Sequence, residues 1–149
     1  MSINYYLCQK AINDRWGPAL SYVEFNRIDD SGEFCLHLCH TSFGWKTLFQ
    51  ATPIASSLKD LLTECKYSID NSDGIIRDEY GASLTLDEFK KAILDYENTK
   101  PDIIQQNGID FVQPIAHLEY MQKTHQASYL CDHYFVDEDG YDFCSNIFS

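Results

Sequence analysis

Thiol and imidazole groups gather at one place in this chain. Cys35, His37, Cys39 and His40, followed by Ser42, hold four of its eleven cysteines and histidines. Successive side chains of an extended strand point to opposite faces, so Cys35, His37 and Cys39 are expected on one face and Phe34, Leu36 and Leu38 on the other. Two kinds of chemistry suit such a face. Thiolate and imidazole ligate zinc, and with roots roughly 6.5–7 Å apart along a strand, two of them reach one ion. Cys131, His133 or Cys144 would then complete the shell. Alternatively, a cysteine beside a base is an activated nucleophile, which makes His37, Cys39, His40 and Ser42 the candidate catalytic residues of an enzyme. Against both, the chain has no Cys-x2-Cys knuckle, and alternate positions on one strand are not a usual zinc spacing. Half-buried thiols and a hydrogen-bonded histidine are the plainer reading. No metal, no cofactor and no catalytic residue is assigned.

Other motifs stop short of a reaction. Ser42-Phe43-Gly44 lacks the preceding glycine of a nucleophile elbow. Asp137-Glu138-Asp139-Gly140 carries alternate carboxylates without the rest of a calcium loop. Asp78 and Glu79 are neighbours that face opposite ways on a strand, so they are not placed to share a proton.

The elements that must position these residues read as an α+β fold, a mainly antiparallel sheet with two or three helices packed on one face. A first strand over Ile3–Cys8 ends at Asn13, Asp14, Gly17 and Pro18. A second is expected over Ala19–Ile28, then a turn at Asp29–Gly32 and an antiparallel partner over Phe34–His40. Trp45–Gln50 continues in extended form. Ser57 with Asp60 opens a first helix whose stripe is Leu58, Leu61, Leu62, Cys65 and Ile69. A turn at Asn71–Gly74 leads to a short strand, Ile75–Gly81. Thr85 with Glu88 forms a capping box, with Leu84 able to staple onto Phe89, and predicts a helix from Leu86 to about Tyr96. Residues 98–108 read as a loop, Pro114 opens a third helix, and Tyr134–Phe143 closes the chain as a hairpin with an acidic turn.

At 149 residues, 44% of them apolar, the chain is expected to be one domain with a core of its own. No apolar run approaches the roughly 20 residues that span a bilayer, and the first residues lack a basic and then hydrophobic leader. A soluble cytosolic protein is expected, with its six cysteines reduced.

The formal charge is −12, unevenly placed. Residues 1–69 hold six Lys or Arg against seven Asp or Glu, whereas residues 70–149 hold five against sixteen. An acidic surface repels phosphate backbones and hastens encounter with basic partners over about 8–10 Å at cellular salt. Direct nucleic-acid binding and membrane association are disfavoured, although many acidic surfaces serve only solubility.

His37-Leu38-Cys39-His40-Thr41-Ser42-Phe43-Gly44-Trp45 resembles the His-Ile-Gly-Lys-Ser-Ser-Ala-Gly-Trp segment of a family of small, largely uncharacterised proteins of tailed phages and prophages. The likeness extends to Ile75–Gly81, Leu84-Thr85 and Glu88-Phe89, and to Asp139–Phe143 with Phe148-Ser149. It covers about half the chain in three segments of matching order. Two departures stand out: the family often has a Cys-x2-Cys knuckle after the first strand, which Gln9–Trp16 lacks, and its lysine is His40 here. The resemblance implies a phage or mobile-element origin and no reaction. Combined with the charge, it leads to the expectation of an accessory protein in the bacterial host cytosol. Such a protein would inhibit a host or anti-phage defence protein with a basic surface, as a nucleic-acid mimic, through Glu79, Asp132, Asp137, Glu138, Asp139 and Asp142. A third expectation is a sponge that stacks a small nucleotide signal on Trp45 and Tyr80.

Overall fold

The computed structural model describes residues 2–25, 32–42, 45–94, 134–139 and 141–147. In chain order these form β1 (Ser2–Gln9), a 3-10 helix (Asp14–Tyr22), β2 (Val23–Phe25), β3 (Phe34–Ser42) and β4 (Trp45–Gln50). There follow α1 (Leu58–Asn71), β5 (Ile75–Asp78), β6 (Ser83–Leu84), a helix α2 described over 86–94, β7 (Tyr134–Val136) and β8 (Asp142–Cys144). The strands form one sheet in the order β6-β5-β1-β3-β4-β8-β7, with β2 paired to the early part of β3. Every pairing is antiparallel except β4 with β8, which is parallel. The fold is α+β, as the pattern of elements predicts.

Alternation along β1 sorts the two faces of the sheet. Tyr5 and Leu7 join a core cluster with Leu36, Leu38, Phe49, Ile76 and Phe143. Trp16 and Ala19 of the 3-10 helix, Leu58, Leu61 and Cys65 of α1, and Phe89 and Ile93 of α2 belong to the same cluster. Removing each such large side chain from water contributes about 1.5–3 kcal/mol, so this cluster is the main source of stability. Tyr6 and Cys8 point the other way, where they pack with Cys35.

Both sequence-marked helix starts form. Ser57 Oγ accepts the Asp60 N–H at 3.1 Å. Thr85 and Glu88 cap each other, Thr85 N–H on Glu88 Oε1 at 2.9 Å and Glu88 N–H on Thr85 Oγ1 at 3.1 Å. Asp137 adds a cap that its sequence neighbourhood does not announce: its Oδ2 accepts the Leu58 N–H at 2.9 Å, a carboxylate at the positive end of α1.

Two expectations are corrected. The strand expected over Ala19–Ile28 starts only at Val23, because residues 14–22 coil into the 3-10 helix, and its last three positions, 26–28, lie outside the described residues. Asn13 caps that helix by accepting the Trp16 N–H, Pro18 has a φ suited to a helical turn, and burying Trp16 rewards the coil more than an extended chain would. The shortened β2 still pairs antiparallel with β3, Val23 opposite Leu36 and Phe25 opposite Phe34. The second correction concerns cysteine chemistry: Cys8 and Cys35, expected as thiols, form a disulfide, since they stand directly opposite each other on β1 and β3 with Cα atoms 4.1 Å apart. Cys39, Cys65 and Cys144 are buried and not part of the disulfide. The closing hairpin forms as β7 and β8, and its parallel seam to β4 has no local signal. The loop at 98–108, the helix at Pro114 and all but Gly32 of the turn at Asp29–Gly32 lie outside the described residues. Among the described residues no helix is long and apolar enough to cross a membrane.

Candidate functional site

A β-bulge builds the site. Tyr5 pairs with Cys39 and Tyr6 with His37, so Leu38 is an extra residue on β3. An inserted residue resets the alternation of its strand. Cys39 consequently turns into the core cluster with Leu36 and Leu38, and His40 returns to the face of His37. The expectation that Cys35, His37 and Cys39 share a face is thereby corrected.

On that second face the two histidines meet one amide. His37 Nε2 and His40 Nδ1 both lie 2.9 Å from Asn4 Oδ1. Asn4 is itself held by Glu79, whose Oε1 accepts its backbone N–H at 2.9 Å. On the other side of His37, Nδ1 is 3.4 Å from Gln50 Oε1. The orientation of Gln50 is set by its Nε2, which faces the carbonyls of Ala51, Cys144 and Asn146 at 3.1, 3.3 and 2.8 Å. An oxygen therefore faces His37 Nδ1, an acceptor for the tautomer that has its proton on that nitrogen. The Asn4 amide suits either arrangement of protons: in this orientation its oxygen accepts from ring N–H groups, and turned over its NH2 donates one proton to each ring lone pair. The Tyr6 ring packs on His37 with centroids 5.3 Å apart.

Burial differs along the site. His37 and Asn4 are 6% and 8% exposed, and Gln50 is 1%. His40 is half-buried, and burial pushes its pKa below the ordinary histidine range, an effect that the charge of Glu79 opposes. A neutral imidazole has a lone pair, so His40 is competent as a base or a ligand. Either ring can hold a proton, and the Asn4 carboxamide, which neither gains nor loses one near neutral pH, fixes the two rings relative to each other.

The other sequence candidates scatter. Cys35 is tied to Cys8, and Cys39 lies in the core, so neither joins the histidines. Cys65 is core as its helical spacing predicts, its thiol pushed up to about 12 by burial. The side chains of Ser42 and Trp45, and all of Cys131, Asp132 and His133, lie outside the described residues. Of the acidic candidates, Glu79, Glu138 and Asp139 are exposed. Asp137 is half-buried and spent on structure, since besides Leu58 it accepts the N–H groups of Asp139 and Tyr141 at 3.0 and 2.9 Å. Asp142, expected in the exposed field, is buried at 2% because it points to the second face beside the core residue Phe143. Tyr80 is 72% exposed in a turn ordered by Asp78 Oδ1, which accepts the N–H of Tyr80 and of Ala82.

The registers nonetheless gather several of these groups. Asn4 pairs with His40, His40 with Leu48 and Leu48 with Asp142, a single row across the sheet, with Glu79 one step past the Tyr5–Asp78 pair. β5 and β7 both run toward the end of the sheet where β1 begins, so Glu79 and the Asp137–Asp139 turn share that end. Four strand spacings separate β5 from β8, roughly 19 Å. Lys46, near the start of β4, stands at this end too.

Sequence reasoning missed Asn4 and Gln50, for which only the pairing of β1 and β4 with β3 is a signal. It also missed a cavity of about 610 Å³ between α1, β5, β6 and the start of α2, lined among others by Ile69, Ile75, Arg77, Leu84, Leu86 and Glu88. None of the sequence candidates lines it. No protein-family model, no curated protein and no solved structure matches this chain.

Proposed function

We propose that the chain is a small acidic accessory protein of a phage or mobile element that binds and inhibits a host or defence protein through a basic surface of that partner. The observation that carries the reading is the sheet register, which brings Glu79, Glu138 and Asp139 to one end of the sheet together with the His40 row. The excess of carboxylates in residues 70–149 and the phage-like segments His37–Trp45, Ile75–Gly81 and Asp139–Phe143 support it. Glu79 and the Glu138–Asp139 pair are separated by roughly 19 Å across the sheet, a span comparable to a few phosphate steps of a nucleic acid. The test is to identify a partner by capture from host extract and then measure its association across salt. Steering by exposed charge predicts an on-rate that falls as ionic strength rises and drops again in a Glu79→Lys, Glu138→Lys, Asp139→Lys variant. Salt-independent association, unchanged in that variant, would refute the reading.

A second reading is favoured by one observation, the pair of histidines on Asn4. It is an enzyme in which His40, held neutral, takes a proton from a bound substrate while His37 is fixed by Gln50 and Asn4. This reading uses His37 and His40 and leaves Cys35 and Cys39 out. Loss of a turnover by His40→Gln, with the fold intact, would separate it from binding alone.

A further inference from the structure

Besides the histidine pair, the second face of the sheet holds another cluster. Cys8 Sγ, Cys35 Sγ and a carboxylate oxygen of Glu33 all lie within 4.8 Å of one another. All three residues are buried, at 0%, 1% and 5% exposure. Tyr6 joins the two cysteines in one buried apolar cluster. Glu33 is gripped from the far side by Arg77, Nε on Oε1 at 2.9 Å and Nη2 on Oε2 at 3.2 Å.

We propose that, with the Cys8–Cys35 disulfide reduced, these three groups form a binding site for a soft divalent cation of the zinc class. Charge is the first argument. Two thiolates and the Glu33 carboxylate carry three negative charges, and a divalent cation with the Arg77 guanidinium supplies three positive ones. A buried cluster that sums to zero avoids the cost of stranded charge. Ligand type is the second: thiolate sulfur and carboxylate oxygen are both zinc donors, and three protein ligands leave a fourth, tetrahedral position for a small molecule such as water. Position is the third, because the sulfurs project from directly opposed residues of the two central strands and the carboxylate comes from the residue just before β3. Arg77 would then orient Glu33 through hydrogen bonds, the part that outer partners of a metal ligand play.

The chemistry balances simply. A cellular dithiol or monothiol pair gives two electrons and two protons to the disulfide, which becomes two thiols while the reductant becomes its own disulfide. Binding the cation then displaces the two thiol protons to solvent, and Glu33 enters as the carboxylate it already is.

The experiment uses the whole chain, reduced with a phosphine under anaerobic conditions and titrated with Zn2+ and, separately, Co2+. One equivalent is expected to bind, with release of about two protons per cation, and the cobalt form should show sulfur-to-metal charge transfer in the near ultraviolet. The disulfide form should not bind. Cys35→Ser should abolish the signal and a control, Cys65→Ser, should leave it. Glu33→Gln keeps both sulfurs, so it decides the matter even if Cys35→Ser fails to fold; loss of a ligand should weaken binding at least about tenfold, since outer-shell losses alone cost 10–100-fold. Absence of binding by the reduced chain overturns the proposal. So does equal binding by the oxidised chain, or an affinity untouched by Glu33→Gln.

Discussion

His37 and His40, three residues apart on β3, both approach the same oxygen, Asn4 Oδ1, at 2.9 Å. Only the extra residue Leu38 allows this, because regular alternation sends positions three apart to opposite faces. Asn4 is thus the hub of the second face. Replacing it with Leu removes the one polar group that both rings share in a site that is largely buried. Unsatisfied buried polar groups cost about 1–3 kcal/mol each, so Asn4→Leu should lower the unfolding free energy by about 2 kcal/mol, read as a shifted urea midpoint at unchanged slope. A shift under about 0.5 kcal/mol would mean that the hub is not structural.

The lowered pKa of His40 gives stability a pH dependence of definite sign. Burial disfavours its charged form in the folded state, while the unfolded chain protonates it near the ordinary 6.5. Between the folded and unfolded values the unfolded state binds more protons, so stability is full above about 6.5 and declines as pH falls through that value. Thermal melts from pH 7.5 to 5 should show the decline, and His40→Gln should flatten part of it. If His40→Gln leaves the profile unaltered, burial does not depress this ring.

How much of this was legible depends on the distance over which each signal acts. Local chemistry is legible: Ser57 and the Thr85–Glu88 box start helices, Leu58, Leu61, Cys65, Phe89 and Ile93 fall on buried stripes, and the strand expected over Phe34–His40 forms, running two residues further to Ser42. Where a nonlocal pairing overrides a local rule, reading failed. Cys39 was displaced by a bulge that only β1 reveals, the Cys8–Cys35 bridge needs two strands 27 residues apart in sequence to align, and β8 finds β4 with nothing in its own residues to say so. Near Trp16 an apolar residue at helical depth defeated a strand-like run. Of the candidate site, the histidines stood out by type, whereas Asn4 and Gln50 are ordinary amides until the sheet assembles around them.

Arg77 and Glu33 form a two-pronged ion pair with side chains 19% and 7% exposed. Removing one partner strands the other in a buried setting, a loss of about 3–5 kcal/mol when the pair is fully buried and less here because Arg77 touches solvent. Arg77→Met should destabilise by about 2–3 kcal/mol, and adding Glu33→Leu should restore part of that. A double variant as unstable as the sum of the singles would show the two groups to be uncoupled.

Cys65 makes a kinetic prediction. Its thiol is fully buried and pushed up to about 12, with the charge of Glu64 adding to the effect of burial. The thiolate is the reactive form, so native protein should resist alkylation at Cys65 at pH 8, and labelling should follow global unfolding. Rapid modification of Cys65 in the folded chain, located by peptide mass, would place it at a surface and contradict the packing of α1.

Gly74 is where the backbone leaves no room. It follows Asp73, which takes a positive φ of 54°, and its N–H bonds to the Ser68 carbonyl at 2.9 Å, next to the Ser72 N–H on the same oxygen at 2.8 Å. A β-carbon on Gly74 would lie 2.9 Å from the backbone carbon of Ser68, closer than real contacts of this kind come. Ser68 Oγ and Cβ would be nearer still, so the obstacle is both side chain and main chain, and Ser68 is pinned by donating from its hydroxyl to Gln9 Oε1 at 2.6 Å across to β1. Gly74→Ala must therefore push the end of α1 away from β5, at a cost of about 1–3 kcal/mol typical of overpacking. A second variant, Ser68→Ala, removes the hydroxyl but not the carbonyl carbon. If Gly74→Ala is no less damaging in a Ser68→Ala background, the clash is with the backbone; full rescue there would assign it to the side chain instead.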